Sequence, residues 1–260
     1  MDEELYQKII QKKEFSKLPR RDVELAYSQF ERRETIDEEK IKLTRALLHR
    51  VFGAFLSEKL LNKKIIDKKS IEKILKRHIS TRERFNFYSE LYERILKDFT
   101  DKKINVIDLG AGINGLSYKY FDSNSVNYIS VESIGQLVEL MNYYFRCEKI
   151  KNAKAFHLSL FELEKVKELT KKQKGRKIVF LFKVVDSLEM LERDYSKKLL
   201  KKIVPLVDRV VVSFATRSLI SKKSFSVKRY WFENFIKDNF NVLDTFELGG
   251  EKYFVFRKKE

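Results

Sequence analysis

The 260-residue chain predicts an α/β protein, with a seven-stranded, mostly parallel sheet preceded by a helical domain. Three observations predict it. Apolar residues recur at three- and four-residue spacing through residues 1–100. After Asp101, apolar runs of strand length alternate with helical segments. Two of those runs, Lys177-Ile-Val-Phe-Leu-Phe182 and Val210-Val-Val-Ser-Phe214, read as buried on both faces, which a parallel sheet covered by helices requires.

The helical part is taken first. Leu47, Leu48, Val51, Phe52 and Phe55 form one stripe, residues 70–77 a second, and Tyr88, Leu91, Tyr92, Ile95 and Leu96 a third. Residues 1–100 read as helix nearly throughout. Ser80 or Thr81 is the expected cap of the last helix, with Glu83 or Arg84 in its first turn. The expected strands are 104–109, 127–132, 153–158, 177–183, 208–214, 241–246 and 252–257. Leu248-Gly249-Gly250-Glu251 joins the last two as a hairpin. Five parallel strands therefore end in an antiparallel pair. The two prolines, Pro19 and Pro205, mark no linker, so the boundary falls where the pattern changes, giving domains 1–100 and 101–260.

Composition narrows the function classes. Hydrophobic residues make up 43% and aromatics 13%, which excludes a disordered chain. Lys+Arg number 55 against 38 Asp+Glu, a net charge of +17 that should attract a polyanion such as RNA, DNA or an anionic membrane face. A lysine-rich solvated surface would give the same count. The run from Lys165 to Lys177 reads that way, as a solvated helix and turn. Cys147 is the only cysteine, so no intramolecular disulfide can form and a thiolate zinc site is not expected. It reads as a small buried hydrophobe. The three histidines lack metal-ligand spacing, and no metal is expected. The acidic start Met1-Asp2-Glu3-Glu4 is no signal peptide, and no apolar run approaches the roughly 20 residues of a membrane span. The expectation is a soluble, cytoplasmic protein.

Gly110-Ala111-Gly112-Ile113-Asn114-Gly115, after the first strand, fits G-x-G-x-x-G and lets the backbone approach a ligand. Glu132 ends the next strand, where an acid takes ribose hydroxyls. Turn and acid together point to a nucleoside cofactor, and by themselves leave nicotinamide dinucleotides and S-adenosylmethionine both open. Three features favour the latter. Asp108, two residues before the first glycine, suits an ammonium or sulfonium better than a pyrophosphate. No room remains for a separate substrate domain. A long basic helical region precedes the sheet, which suits a macromolecular substrate.

His78-Ile79-Ser80-Thr81-Arg82-Glu83-Arg84, followed by Val106-Ile-Asp-Leu-Gly-Ala-Gly112, resembles the aminoglycoside-resistance 16S rRNA guanine-N7 methyltransferases. Leu48-His49-Arg50-Val51-Phe52-Gly53, Val179-Phe-Leu-Phe-Lys183, and Ser213-Phe-Ala-Thr-Arg217-Ser-Leu219 with Tyr230-Trp-Phe-Glu233 are similar to further stretches of that family. The resemblance runs from about residue 45 to the C-terminus. It implies a class I, Rossmann-like fold and methyl transfer from S-adenosylmethionine to N7 of the decoding-site guanine at position 1405 of 16S rRNA. It also implies a helical domain docking on the 30S subunit, a monomer, and resistance through lost drug contacts. By the same resemblance Arg84 pairs with the methionine carboxylate, Gly110 and Gly112 border the cofactor, and Glu132 takes the ribose. His78, Asp108, Ser159 and Leu160 join the cofactor-binding set. Lys183 and Arg217 fall near the target nucleotide, as the catalytic candidates. The chain departs from the pattern at Gly115 and Ala215, where the family usually has proline. It departs again at Ser159, where an acid commonly meets the adenine amino group.

Guanine N7 carries a free lone pair, so its methylation needs no general base, and the chain offers no convincing Ser/His/Asp or Cys/His arrangement. Positioning alone can supply roughly 7–11 kcal/mol. A paired guanine must be flipped out, at a cost of a few kcal/mol. Phe182 and Phe214 are the candidates to stack on it, and read equally well as core aromatics. Arg217, Lys222, Lys223, Lys228 and Arg229 are interleaved with Ser and Thr without an acid, as in a loop laid on phosphates. Without the resemblance Arg84 reads as a surface arginine, Lys183 as a strand end, and His49 and His78 as residues satisfying helix ends.

Overall fold

A computed structural model describes residues 1–52, 68–99, 103–121, 125–216 and 229–259. Its centre is a seven-stranded sheet in the order β3-β2-β1-β4-β5-β7-β6. The strands are β1 (Ile104–Leu109), β2 (Val126–Glu132), β3 (Ala153–His157), β4 (Arg176–Phe182), β5 (Arg209–Ala215), β6 (Phe240–Leu248) and β7 (Glu251–Lys258). The first five are parallel. β7 runs antiparallel between β5 and β6, so the final hairpin inserts its second strand against β5. All seven strands lie where the sequence predicts them, within two residues at each end. β1 is buried along its whole length, as continuous apolar runs in a covered parallel sheet must be. β6 is one of the two edges: it alternates in exposure, is bulged between Val242 and Asp244, and leaves Leu243 exposed.

The helices before the sheet are α1 (Glu3–Ile10), α2 (Arg20–Ser28), α3 (Asp37–Val51), α4 (Lys68–Arg77) and α5 (Tyr88–Leu96). Those within it are α6 (Gly135–Cys147), α7 (Leu163–Lys172), α8 (Val185–Leu191), α9 (Tyr195–Ile203) and α10 (Tyr230–Asn239). α2 and α3 pack on α8, while α6 packs on β2 and β3. The buried side chains of both parts form one continuous cluster.

Three expectations are corrected. Residues 1–100 are less helical than their apolar spacing implies: Phe15 and Leu18 are buried from the turn before Pro19, and burial is all that spacing reports. Neither Ser80 nor Thr81 caps a helix. The Thr81 hydroxyl donates to the Leu75 carbonyl at 2.8 Å, and residues 78–84 run through tight turns into a 3₁₀ segment, Phe85–Phe87, before α5. Cys147, at the end of α6, is exposed rather than buried. Among the described residues no helix is long and apolar enough to cross a membrane.

Candidate active site

The turn after β1 is built by backbone geometry. Gly110 and Gly112 sit at φ +71° and +56°, where a side chain is strained. A Cβ on Gly110 would also lie 2.3 Å from Val184 Cγ2. The Gly110 and Ala111 amides donate to the Val131 carbonyl at 2.9 and 3.2 Å, tying the turn to the end of β2. Glu132, the last residue of β2, accepts from the Gly112 amide at 2.7 Å and the Ile134 amide at 2.8 Å. Burial pushes its pKa up, against those two amides, which lower it. The chain after the turn is a 3₁₀ segment, Asn114–Tyr120, rather than an α-helix. Gly115 lies in it against Met141 and Phe145, where a Cβ would come within 2.9 Å of each, so a larger residue would require those side chains to shift.

Asp108 holds this segment from behind. Its Oδ2 accepts from Asn114 Nδ2 at 2.7 Å and Tyr128 Oη at 2.5 Å, and Asn114 in turn accepts from Tyr88 Oη at 2.9 Å. Burial raises its pKa. It is not among the residues lining the cleft described next, and its Oδ1 makes no hydrogen bond among the described residues. The sequence reading had it facing a ligand.

A cleft opens at the carboxyl ends of the parallel strands. Gly110, Gly112, Glu132, Leu160, Phe182 and Lys183 line it from the sheet, with Val184 and Leu188 beside them. Asp22, Val51, Phe52 and Ser80 close it from the helical part. The crevice outside the strand ends is where open α/β sheets bind nucleosides.

A buried charge cluster stands next to it. Arg84 is fully buried, not a surface residue. Its guanidinium lies 4.7 Å over the Phe182 ring and 3.5 Å from Glu251 Oε1, and its Nη2 donates to the Ser80 carbonyl. Its Nε and Nη1 have no hydrogen-bond partner among the described residues. Lys183, at φ +57°, donates from Nζ to Glu83 at 2.7 Å and to the Ile79 carbonyl at 3.0 Å, and lies 3.5 Å from Glu251. Glu251 also accepts from the Ser213 hydroxyl at 2.6 Å. Lys183 thus clamps the turn after α4 to the end of β4. His78 packs inside that turn, its Nδ1 2.6 Å from Ser80 Oγ, and does not line the cleft.

The two stacking candidates, Phe182 and Phe214, both sit among other aromatic rings. Phe182 stacks on Phe180 at 4.7 Å and carries Arg84 over its ring. Phe214 packs edge-to-face on Phe232 and Phe254 and carries Arg229 at 4.5 Å. Both rings are buried, Phe214 among core aromatics and Phe182 in the wall of the cleft with Arg84 over it. Arg229 pairs with Asp186 at 2.7 Å, which competes with a phosphate contact. Arg217, Lys222, Lys223 and Lys228 lie outside the described residues, as does Gly53.

Sequence reasoning missed three acids. Glu83 and Glu251 partner Lys183, and Glu251 lies beside Arg84. Asp22 on α2 lies in the cleft wall, its Oδ1 accepting from Ser159 Oγ at 3.1 Å. Ser159 also accepts the Phe161 amide at 3.0 Å. Asp22 reads from sequence as an ordinary first-turn acid, and nothing local distinguishes it. Glu251, directly after two turn glycines, gives only a weak signal.

The cleft has features a methionine-bearing nucleoside needs. It offers a two-glycine cradle, an acid at the second strand tip and, beside it, a buried guanidinium whose Nε and Nη1 make no hydrogen bond among the described residues. Comparison with known proteins agrees. The chain is similar to a 16S rRNA (guanine(1405)-N(7))-methyltransferase of Serratia marcescens, 24% identical over 226 residues that cover 85% of this chain and 84% of the relative. Its fold matches the 16S rRNA methylase RmtB, with a TM-score of 0.79 at 20% identity over 98% of both chains. It matches the 16S rRNA methyltransferase RmtF, solved in complex with S-adenosyl-L-homocysteine, with a TM-score of 0.79 at 21% identity over 100% of both chains. The family model described as ribosomal RNA methyltransferase (FmrO) matches residues 29–252, and the chain belongs to that family.

Proposed function

We propose that the protein transfers the methyl group of S-adenosylmethionine to N7 of the decoding-site guanine, position 1405, of 16S rRNA in the 30S subunit. The observation that carries this is the cleft at the strand tips, where Gly110, Gly112 and Glu132 meet in a chain of the rRNA methyltransferase family. The relative from Serratia marcescens supplies the nucleotide. Bound there, the cofactor supplies an electrophilic methyl group. Gly110 and Gly112 would border it, Glu132 would accept the ribose hydroxyls with the lone pairs its amide partners leave, and Arg84, packed behind Ser80 and Phe182 of the cleft wall, would meet the methionine carboxylate. The N7 lone pair would form the new bond to carbon as the methyl–sulfur bond breaks and its electron pair returns to sulfur, so no base is needed and the protein's work is positioning, worth roughly 7–11 kcal/mol for a well-aligned pair. Lys183 holds the wall of the cleft and, with Arg217, borders the target nucleotide. Arg217, Lys222, Lys223, Lys228 and Arg229 meet phosphates, and residues 1–100 form the docking domain. The enzyme works in the cytoplasm, where its substrate is, and the methyl group there blocks aminoglycoside contacts.

Purified 30S subunits incubated with enzyme and cofactor test this. Borohydride/aniline treatment followed by primer extension should give a new stop at the decoding-site guanine. Methyl incorporation with the stop elsewhere would move the target, and no incorporation at all would leave the chain a binding factor.

A further inference from the structure

Asp22 is only 1% exposed, lines the cleft near Ser133, and has one oxygen, Oδ2, with no hydrogen-bond partner among the described residues. A lone buried acceptor of this kind costs stability unless a ligand satisfies it. Its placement says which ligand group would. In the sheet order the tip of β3 lies beyond that of β2. Glu132 marks the ribose at the β2 tip, so a nucleoside extending outward from it reaches Ser159, Leu160 and Phe161. Ile134, Leu160 and Phe161 give that end of the cleft apolar walls. Asp22 enters from α2, pinned by the Ser159 hydroxyl on its other oxygen.

We propose that Asp22 accepts the exocyclic amino group of the cofactor's purine, so that α2, not the sheet, selects adenine over a 6-oxo base. The inference rests on the cofactor reading above. An amino N–H completes Oδ2, whereas a 6-oxo group would face a carboxylate oxygen with another acceptor. Ser159 is a positioning residue: held by the Phe161 amide, its hydroxyl fixes how the carboxylate is turned. The same contact ties the helical part to cofactor binding, because α2 packs on α3 and α8.

Calorimetry on the full chain with S-adenosylhomocysteine and S-inosylhomocysteine, at a pH well above 7 where the Asp22 carboxyl is ionised, tests this. The unaltered protein should prefer the adenosyl compound by roughly 10- to 100-fold, the worth of a hydrogen bond to a charged group. Asp22→Asn keeps the shape and can donate to a 6-oxo group, so its preference should vanish or invert. Ser159→Ala should reduce the preference while Asp22 is still present, and it carries the test should Asp22→Asn fail to fold. Undiminished adenosyl preference in Asp22→Asn, or in Ser159→Ala where that variant carries the test, overturns the inference and leaves the cofactor reading intact. If the unaltered protein binds neither compound, the cofactor reading falls and this inference with it.

Discussion

Asp22 illustrates how a binding group can be held at the expense of stability. Burial pushes its carboxyl up to about 7 from an ordinary value of 3.8, helped by the Glu132 and Glu162 carboxylates and opposed by the Ser159 and Ser133 hydroxyls. Between those two pH values the unfolded chain releases a proton that the folded chain keeps. Stability from this group is therefore greatest below about pH 4, falls as pH rises toward 7, and is level above it, a loss on the order of a few kcal/mol. Asp22→Asn removes the ionisation. The variant should melt above the unaltered protein at pH 8, and the gap should close toward pH 4. Thermal melts across that range read the difference directly, and an Asn variant no more stable at pH 8 would show that the buried charge is not a burden.

At the scale of elements, the turn after α4, the end of β4 and the start of β7 are joined by Arg84, Lys183, Glu83 and Glu251. Glu251 is the centre, since it alone lies near both cations while fully buried. Removing one partner of a buried pair commonly costs about 3–5 kcal/mol because the remaining charge stays desolvated. Glu251→Ala should lower the urea-unfolding free energy by about that much, and Glu251→Gln by less, since the amide still accepts from Ser213. A loss under about 1 kcal/mol for Glu251→Ala would mean that water or Glu83 compensates the two cations. This cluster also marks how far sequence reading reaches. The strands were legible because a covered strand is apolar throughout, as in Ile178 to Phe182, and the glycine turn because two positive φ values demand glycine. Periodicity reported which N-terminal residues are buried but not that Phe15 and Leu18 are buried from a turn. Glu251 and Asp22 were not legible, because each meets a residue more than 100 positions away, Glu251 beside Arg84 and Asp22 bonded to Ser159. Arg84 was placed at the site only by resemblance.

For the whole molecule the question is where rRNA docks. Residues 1–100 hold 24 Lys+Arg against 18 Asp+Glu, and residues 101–260 hold 31 against 20. Per residue the excess is nearly the same, so charge alone does not make the helical part the docking domain. Its exposed cations Lys12, Lys13, Arg21, Arg32, Arg33 and Arg50 share that surface with exposed acids such as Glu31, Glu34 and Asp37. The basic run from Arg217 to Arg229 belongs to the other part, on the connection between β5 and α10. A footprint spanning both parts would engage many phosphates. Six to ten contacts would weaken binding by roughly 10³- to 10⁵-fold between 50 and 200 mM salt. Filter binding to 30S subunits across that range should therefore give a steep linear fall of log affinity with log salt. Changing Lys222, Lys223 and Lys228 together to alanine should flatten the slope by about three units, because each lysine removed is one phosphate fewer. A slope unchanged by that triple substitution would remove the loop from the interface and return docking to the helices.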